Sequence, residues 1–184
     1  LSNQRTISTK LLQANKEWVY RNNDVIAQEV SEIEFELYVV GLSKGEIVFR
    51  QVEEHPLLDL LDKFNPETTK MDGIYVTQSD KKMAGDAFWY LERNGKSIEN
   101  IRVLIPDQVE IEFNEPGSDS LIRRYKYIDT VDNKRVEVYY QPEDVIHFKK
   151  PNPQNPFRGK GAVESLADTI DADNLANLTQ SNFF

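Results

Sequence analysis

Cysteine is absent from these 184 residues, and histidine occurs only twice. The stretch therefore holds no disulfide, no thiolate metal site and no cysteine nucleophile, which fits a reducing compartment. No apolar run approaches the ~20 residues of a membrane helix, and there is no signal-peptide pattern. Neither GxxxxGK nor GxGxxG occurs, so nucleotide hydrolysis has no support. Positive charge is also short: 22 bases face 31 acids, for a net charge of -9. A protein that coats nucleic acid is normally basic, so that class is disfavoured. One that lets DNA slide past without gripping it is not, because an acidic wall repels phosphates.

What is present suits a folded domain. Hydrophobic residues are 39% and charged residues 29%, a balance that favours a packed core over disorder. The length suits one domain with an appendage and is enough to bury a core. The chain opens on Leu1 and stops at Phe183-Phe184 within a helical pattern, which reads as a fragment of something longer or as trimming to an ordered core.

Periodicity and turn chemistry predict an α+β fold of mostly antiparallel sheets, with short helices in the N-terminal half and a long C-terminal helix. Residues 1–17 read as a frayed arm. Asp24 is placed to cap a short helix through Val30. Ile33, Phe35, Leu37 and Val39 alternate with polar neighbours, as in a half-buried strand, and Glu46–Val52 returns as its partner after a turn at Ser43-Lys44-Gly45. His55-Pro56 opens a helix whose buried face is Leu57, Leu58, Leu60 and Leu61, stopped by Asn65-Pro66. Thr68 or Thr69 caps the next, which runs to about Ala84 and ends at Gly85, although Gly73 and Val76 weaken it. A strand block follows: 87–93, an Asn94-Gly95 turn, 98–105, a Pro106-Asp107 corner, 109–113, 122–128, a turn at Asp132-Asn133-Lys134, and 136–140. Pro142-Glu143-Asp144 makes a corner into 145–148, and the prolines beyond end the sheet near Lys150. The last helix is expected over 162–182.

Catalytic constellations are weak. His55 reads as a helix cap and His147 as a sheet-face residue, and two histidines at separate loci do not make a zinc site. Asp168, Asp171 and Asp173 lie on the expected last helix, where a solvated face is the simpler reading of the carboxylates than magnesium binding or acid–base work. Glu32, Glu34 and Glu36 read as the wet side of a strand that also guards an edge. No catalytic residue, metal or cofactor is assigned. One stretch stands out: the loop from Lys149 to Gly161 carries Lys149, Lys150, Arg158 and Lys160, three prolines and no acid, inside an acidic chain. Those four residues are candidates for contact with a partner or a neighbouring copy.

Several stretches taken in order resemble the portal proteins of tailed bacteriophages, in the HK97-like family. They are WVYRNNDVIAQEVSEI (18–33), HPLLDLLDKFNPET (55–68), GDAFWYLERNG (85–95), LIPDQVEI (104–111), and PEDVIHFKKPNP with RGKGAVESLADTI (142–170). Asp86 stands where the family usually has asparagine, and the loop between Lys150 and Gly159 is long and proline-rich for it. The resemblance implies a structural protein and no enzyme. It implies a homo-oligomeric ring, usually dodecameric, at one capsid vertex, through which double-stranded DNA is packaged and ejected without sequence specificity. The implied partners of the full-length protein are the terminase large subunit, the capsid and head-completion proteins. The implied location is the virion, with assembly in the host cytoplasm and no membrane. By the same resemblance, 18–161 is a wing-like domain, and 162–184 leads toward stem, clip and crown regions beyond residue 184. Two other readings remain beside it: a metal-dependent hydrolase using Asp168, Asp171 and His147, and a free-standing interaction module built on the basic loop.

Overall fold

A computed structural model describes residues 17–43, 45–118, 120–131 and 134–162. The expected arm up to residue 16 and the last helix beyond Ala162, with Asp168, Asp171 and Asp173, lie outside the described residues. So do Lys44, Asp132 and Asn133 of the two expected turns.

The elements run α1 (Glu17–Ser31), β1 (Leu37–Ser43), β2 (Glu46–Val52), α2 (Pro56–Asp62), β3 (Lys63–Asn65), β4 (Thr68–Thr69), α3 (Lys70–Met83), β5 (Asp86–Asn94), β6 (Ser97–Leu104), β7 (Val109–Phe113), β8 (Ile122–Val131), β9 (Lys134–Tyr140) and β10 (Val145–Lys149). Single 3-10 turns at Pro106–Gln108 and Pro142–Asp144 make the two proline corners. Every strand pairing is antiparallel, and the sheets are ordered β1-β2, β10-β5-β6, β3-β4 and β7-β8-β9. The architecture is therefore α+β, as its patterning implies.

β5 is the middle of the molecule. Its first four residues are buried, because both of its faces are covered. Phe88 joins Leu104, Val109, Tyr125 and Val145 in one core between the β5 sheet and the β7-β8-β9 sheet. Trp89 and Leu91, on the opposite pleat, join Phe64 and Ile101 in a second core, flanked by Leu60, Leu61 and Ile74 of the helical layer. A strand covered twice drops the alternation of a half-buried strand and reads as the continuous run Ala87-Phe88-Trp89-Tyr90-Leu91.

The helices start where their chemistry directs. His55 Nδ1 accepts the Leu57 N–H at 3.1 Å, and Pro56 occupies the first turn. Thr69 caps α3 by accepting the Asp72 N–H, and Gly85 leaves the helix with φ 88°. Helix α1 lies along α3, with the Tyr75 hydroxyl donating to Asp24 at 2.6 Å and Asn23 donating to Ser79.

Four expectations are corrected. Asp24 is not a cap: α1 begins seven residues earlier, at Glu17, and Asp24 sits within it, turned to Tyr75. The strand expected from Ile33 starts at Leu37, so Glu32, Glu34 and Glu36 precede it, and the β1–β2 ribbon is exposed on both faces rather than half-buried. α2 ends at Asp62, before Asn65-Pro66, because Lys63–Asn65 pairs with Thr68–Thr69; Asn65 then donates to the Ile101 carbonyl from a buried position. In α2, Leu57 is 43% exposed, and only Leu58, Leu60 and Leu61 turn inward.

Gly73, a poor helix former by propensity, is explained by its neighbour. A Cβ there would lie 2.4 Å from the Phe64 ring, which packs edge-on against Trp89 with centroids 4.8 Å apart. Thr77 completes the contact by accepting the Trp89 indole N–H at 2.6 Å. Propensity alone favours Gly73→Ala by ~1 kcal/mol. The clash is expected to outweigh that gain and leave the variant about 1–3 kcal/mol less stable in chemical denaturation. A stabilised Gly73→Ala would show that the Phe64 ring has room to move.

Candidate functional site

The basic loop is rooted in a buried carboxylate. Asp86, the first residue of β5, is 4% exposed. Its Oδ1 lies 2.8 Å from His147 Nε2 and accepts the Gly159 N–H at 2.7 Å; its Oδ2 accepts from the Arg158 guanidinium at 3.3 Å. His147 is the neighbour of Phe88 across the β5–β10 pair and stacks on its ring at 4.2 Å. The Arg158 guanidinium lies over the other partner of that ring system, 5.3 Å from the Phe88 centroid, and also donates to the Val109 carbonyl. One carboxylate thus ties β5 to β10 and to the far end of the loop, and through Arg158 to the start of β7.

The backbone around it comes too close for side chains. A Cβ at Gly85 would lie 2.6 Å from the Gly159 and Lys160 carbonyl carbons, one at Gly159 would lie 1.8 Å from the Gly85 oxygen, and one at Gly161 would lie 2.1 Å from the Met83 oxygen. The Gly85 carbonyl in turn accepts the Lys150 N–H at 2.9 Å. Between these anchors the loop is held by its own polar side chains. Asn152 Oδ1 accepts the Gln154 N–H, and Asn155 Oδ1 accepts those of Phe157 and Arg158, the usual asparagine turn chemistry. Phe157 packs edge-on against Phe113, with centroids 4.6 Å apart.

The four candidate contact residues therefore differ. Arg158 faces inward, to Asp86 and Val109. The Lys149 ammonium donates to the Pro156 carbonyl across the loop. Lys150 and Lys160 are half-buried. Lys150 stands near Lys82, whose ammonium is held below its ordinary pKa by burial and then by the Lys150 charge. This local excess of positive charge lies at the junction of α3 and the loop.

Chemically, the Asp86–His147 pair is closed. The two side chains are 6% and 9% exposed, and the carboxylate is already engaged by Arg158 and the Gly159 amide. An acid–base dyad needs a face open to a substrate, so the pair acts as a structural latch. His55 is a helix cap. Among the described residues, no group of three or more histidine, aspartate or glutamate side chains is placed to hold a metal ion. Asp86 is the residue that reading the sequence missed. Its one local signal is an acid directly before the apolar run of β5, where burial demands a partner.

A second, half-buried carboxylate stands apart from the latch. Asp80 of α3 has its pKa pushed up to about 7, first by burial and then by the Asp107 charge at the Pro106 corner.

The sequence profile of the family described as "Phage portal protein" matches residues 17–184. No curated protein matches the chain. Among solved structures, a chain from the neck of an empty GTA particle computed with C6 symmetry superposes with a TM-score of 0.73 at 16% identity. Chains from the virion of the native gene transfer agent (GTA) particle, and from its neck computed with C12 symmetry, each superpose with a TM-score of 0.71 at 16% identity. The match covers 95% of this chain and 44–45% of those chains, so this chain spans under half of their length.

Removing the Asp86 carboxylate strands an arginine, a histidine and an amide in the interior. Asp86→Ala is expected to cost about 3–5 kcal/mol in denaturant unfolding, as for other broken buried ion pairs. Asp86→Asn, which keeps an acceptor for the Gly159 amide, should cost less; equal losses would show that the Arg158 and His147 contacts carry the site. For Asp80 the folded pKa exceeds the ordinary 3.8, so its stabilising contribution is complete below that value and disappears as pH rises through about 7. The melting temperature of Asp80→Asn should therefore fall less than that of the parent over this interval.

Proposed function

Since this chain belongs to the phage portal protein family, we propose that it forms the outer wing of one subunit in a closed ring at a capsid vertex, through which double-stranded DNA passes during packaging and ejection. The observation that carries this reading is the family match over 17–184, which runs through the whole described α+β body. Because the chain covers 45% of a comparable subunit, the DNA-lining elements and the surfaces for the terminase large subunit and head-completion proteins are assigned to the remainder of such a subunit. The dodecameric count, the capsid and terminase contacts, the virion location and assembly in the host cytoplasm belong to the same proposal.

The role is structural, with no bond made or broken on this chain. The hydrolase alternative needs His147 as a metal ligand, and that imidazole is 9% exposed, stacked on Phe88 and paired with Asp86. Within the basic loop, Lys149, Lys150 and Lys160 are assigned to contact with a neighbour, and Arg158 to fixing the loop from inside.

Electron micrographs of the full-length protein should show rings with a central opening, and a uniformly monomeric full-length chain would overturn the reading. The 184-residue chain by itself is expected to be a monomer or weak oligomer in light scattering, since less than half of a comparable subunit is present. A stable dodecamer at this length would place the main ring contacts within it.

A further inference from the structure

The β1–β2 ribbon carries an apolar face that no other described element covers. In the register of this pair, Val40 stands opposite Phe49 and Leu42 opposite Ile47, so all four side chains share one face. They are exposed by 62%, 69%, 79% and 65%. The ribbon packs chiefly on itself. A lone two-stranded hairpin is marginal in water, and four adjacent large apolar side chains left wet are the mark of a docking surface.

Charge indicates what covers it. The base of the ribbon is acidic: Glu32 and Glu34 precede β1, and Glu53 and Glu54 follow β2. None of the four is in an ion pair with a described residue. In a chain of net charge -9, most faces of a second copy would repel such a base. The 149–161 loop would not: it is acid-free, carries Lys149, Lys150 and Lys160, and shows exposed Pro151, Pro153 and Pro156. Beside it stands Phe113, 48% exposed and backed by Phe157. An apolar stripe with an acidic root thus matches an apolar, lysine-bearing loop.

We propose that the Val40/Leu42/Ile47/Phe49 face of one copy seats on the Lys149–Lys160 loop of the next copy, with Glu53 and Glu54 meeting Lys150 and Lys160. This rests on the portal reading, and deepens it by naming the two surfaces. The contact is head-to-tail, because hairpin and loop are different patches of one chain; such contacts generate rings when their rotation closes. A single hairpin face falls short of the ~800 Å² per partner of a stable pair. The contact is therefore weak between two isolated chains and gains strength by repetition around a closed ring.

The test uses the full-length protein. These 184 residues contain no cysteine, so with any cysteine in the remainder of the full-length protein replaced by serine, Phe49→Cys and Pro153→Cys introduce defined cross-linking positions. With a short bismaleimide, the double variant is expected to give a ladder of dimers, trimers and higher multiples on a denaturing gel, and neither single variant should. In native mass spectrometry, Glu53→Lys with Glu54→Lys should lower the ring fraction at least tenfold. Adding Lys150→Glu and Lys160→Glu to the same chain should restore it. Wild-type rings without the ladder or the rescue overturn this contact and leave the portal reading standing. Dimers from Phe49→Cys alone would show face-to-face pairing of ribbons and overturn the loop as the seat. An intramolecular cross-link would mean that the chain covers its own hairpin. Wild-type protein that forms no ring at all overturns both readings.

Discussion

The carboxylate of Asp86 is the constraint on which the rest of this fold rests. It enters the interior at the point where α3 has just ended and the central strand begins, a place closed to bulk solvent. A buried anion is tolerable only when its lone pairs are answered. Here they are answered by groups far along the chain: an imidazole 61 residues on, a guanidinium 72 on and an amide 73 on. The desolvation of one side chain therefore dictates where β10 lies and how the proline loop returns. The glycines follow from it. Bringing the Gly159 amide to the carboxylate presses residues 159–161 against 83–85 at distances that exclude a Cβ on either side.

The packing builds outward from the same strand. β5 places Phe88 toward the second sheet and Trp89 toward the helices, so each core leans on one pleat of a single strand. On the first side, the ring of Phe88 is held between His147 and Tyr125, two aromatic contacts beyond plain burial. On the other, Phe64 fits only because Gly73 has no side chain, and Trp89 satisfies its indole N–H on Thr77. The second sheet turns charge outward: Lys126 meets Glu137 at 2.8 Å, and Arg124 meets Glu112 at 2.6 Å while covering Tyr139. Exposed pairs of this kind contribute little to stability. Rigidity comes from the doubly covered strand and its latch.

Local chemistry was legible in the sequence, and distant chemistry was not. The caps at His55 and Thr69, the Gly85 exit, both proline corners and the strand block from Asp86 to Lys149 follow from rules that reach a few residues along the chain. Burial does not. Ile33, Phe35, Leu37 and Val39 alternate as a half-buried strand should, yet what decides burial is a covering layer, which alternation does not encode. Asp24 sits at a good distance from an apolar repeat to be a cap, and only the presence of Tyr75 across the α1–α3 contact reveals its other use. Arg158 looks like its lysine neighbours in a basic loop. Its inward turn becomes visible only when Asp86 is seen to be buried, and the same holds for the pairing of His147.

The proposed ring would add a requirement that this architecture is suited to meet. A head-to-tail contact closes only if the two patches on each copy keep a fixed angle; a few degrees of play at each contact would open the ring into a helix or scatter its count. The loop patch meets that demand through the Asp86 latch, the glycine contacts and the asparagine turns, which fix it to β5 before any partner arrives and so reduce the ordering required on association. The hairpin patch stands differently. It is joined to α1 by the unpaired stretch 33–36 and to α2 by 53–55, so its own orientation is less constrained. In the proposed contact a rigid socket and a more adjustable arm would divide the work: the socket would set the angle, and the arm would take up the strain of closing. In a chain this acidic, the lysines of the socket would also supply, in that contact, the attraction between two like-charged copies.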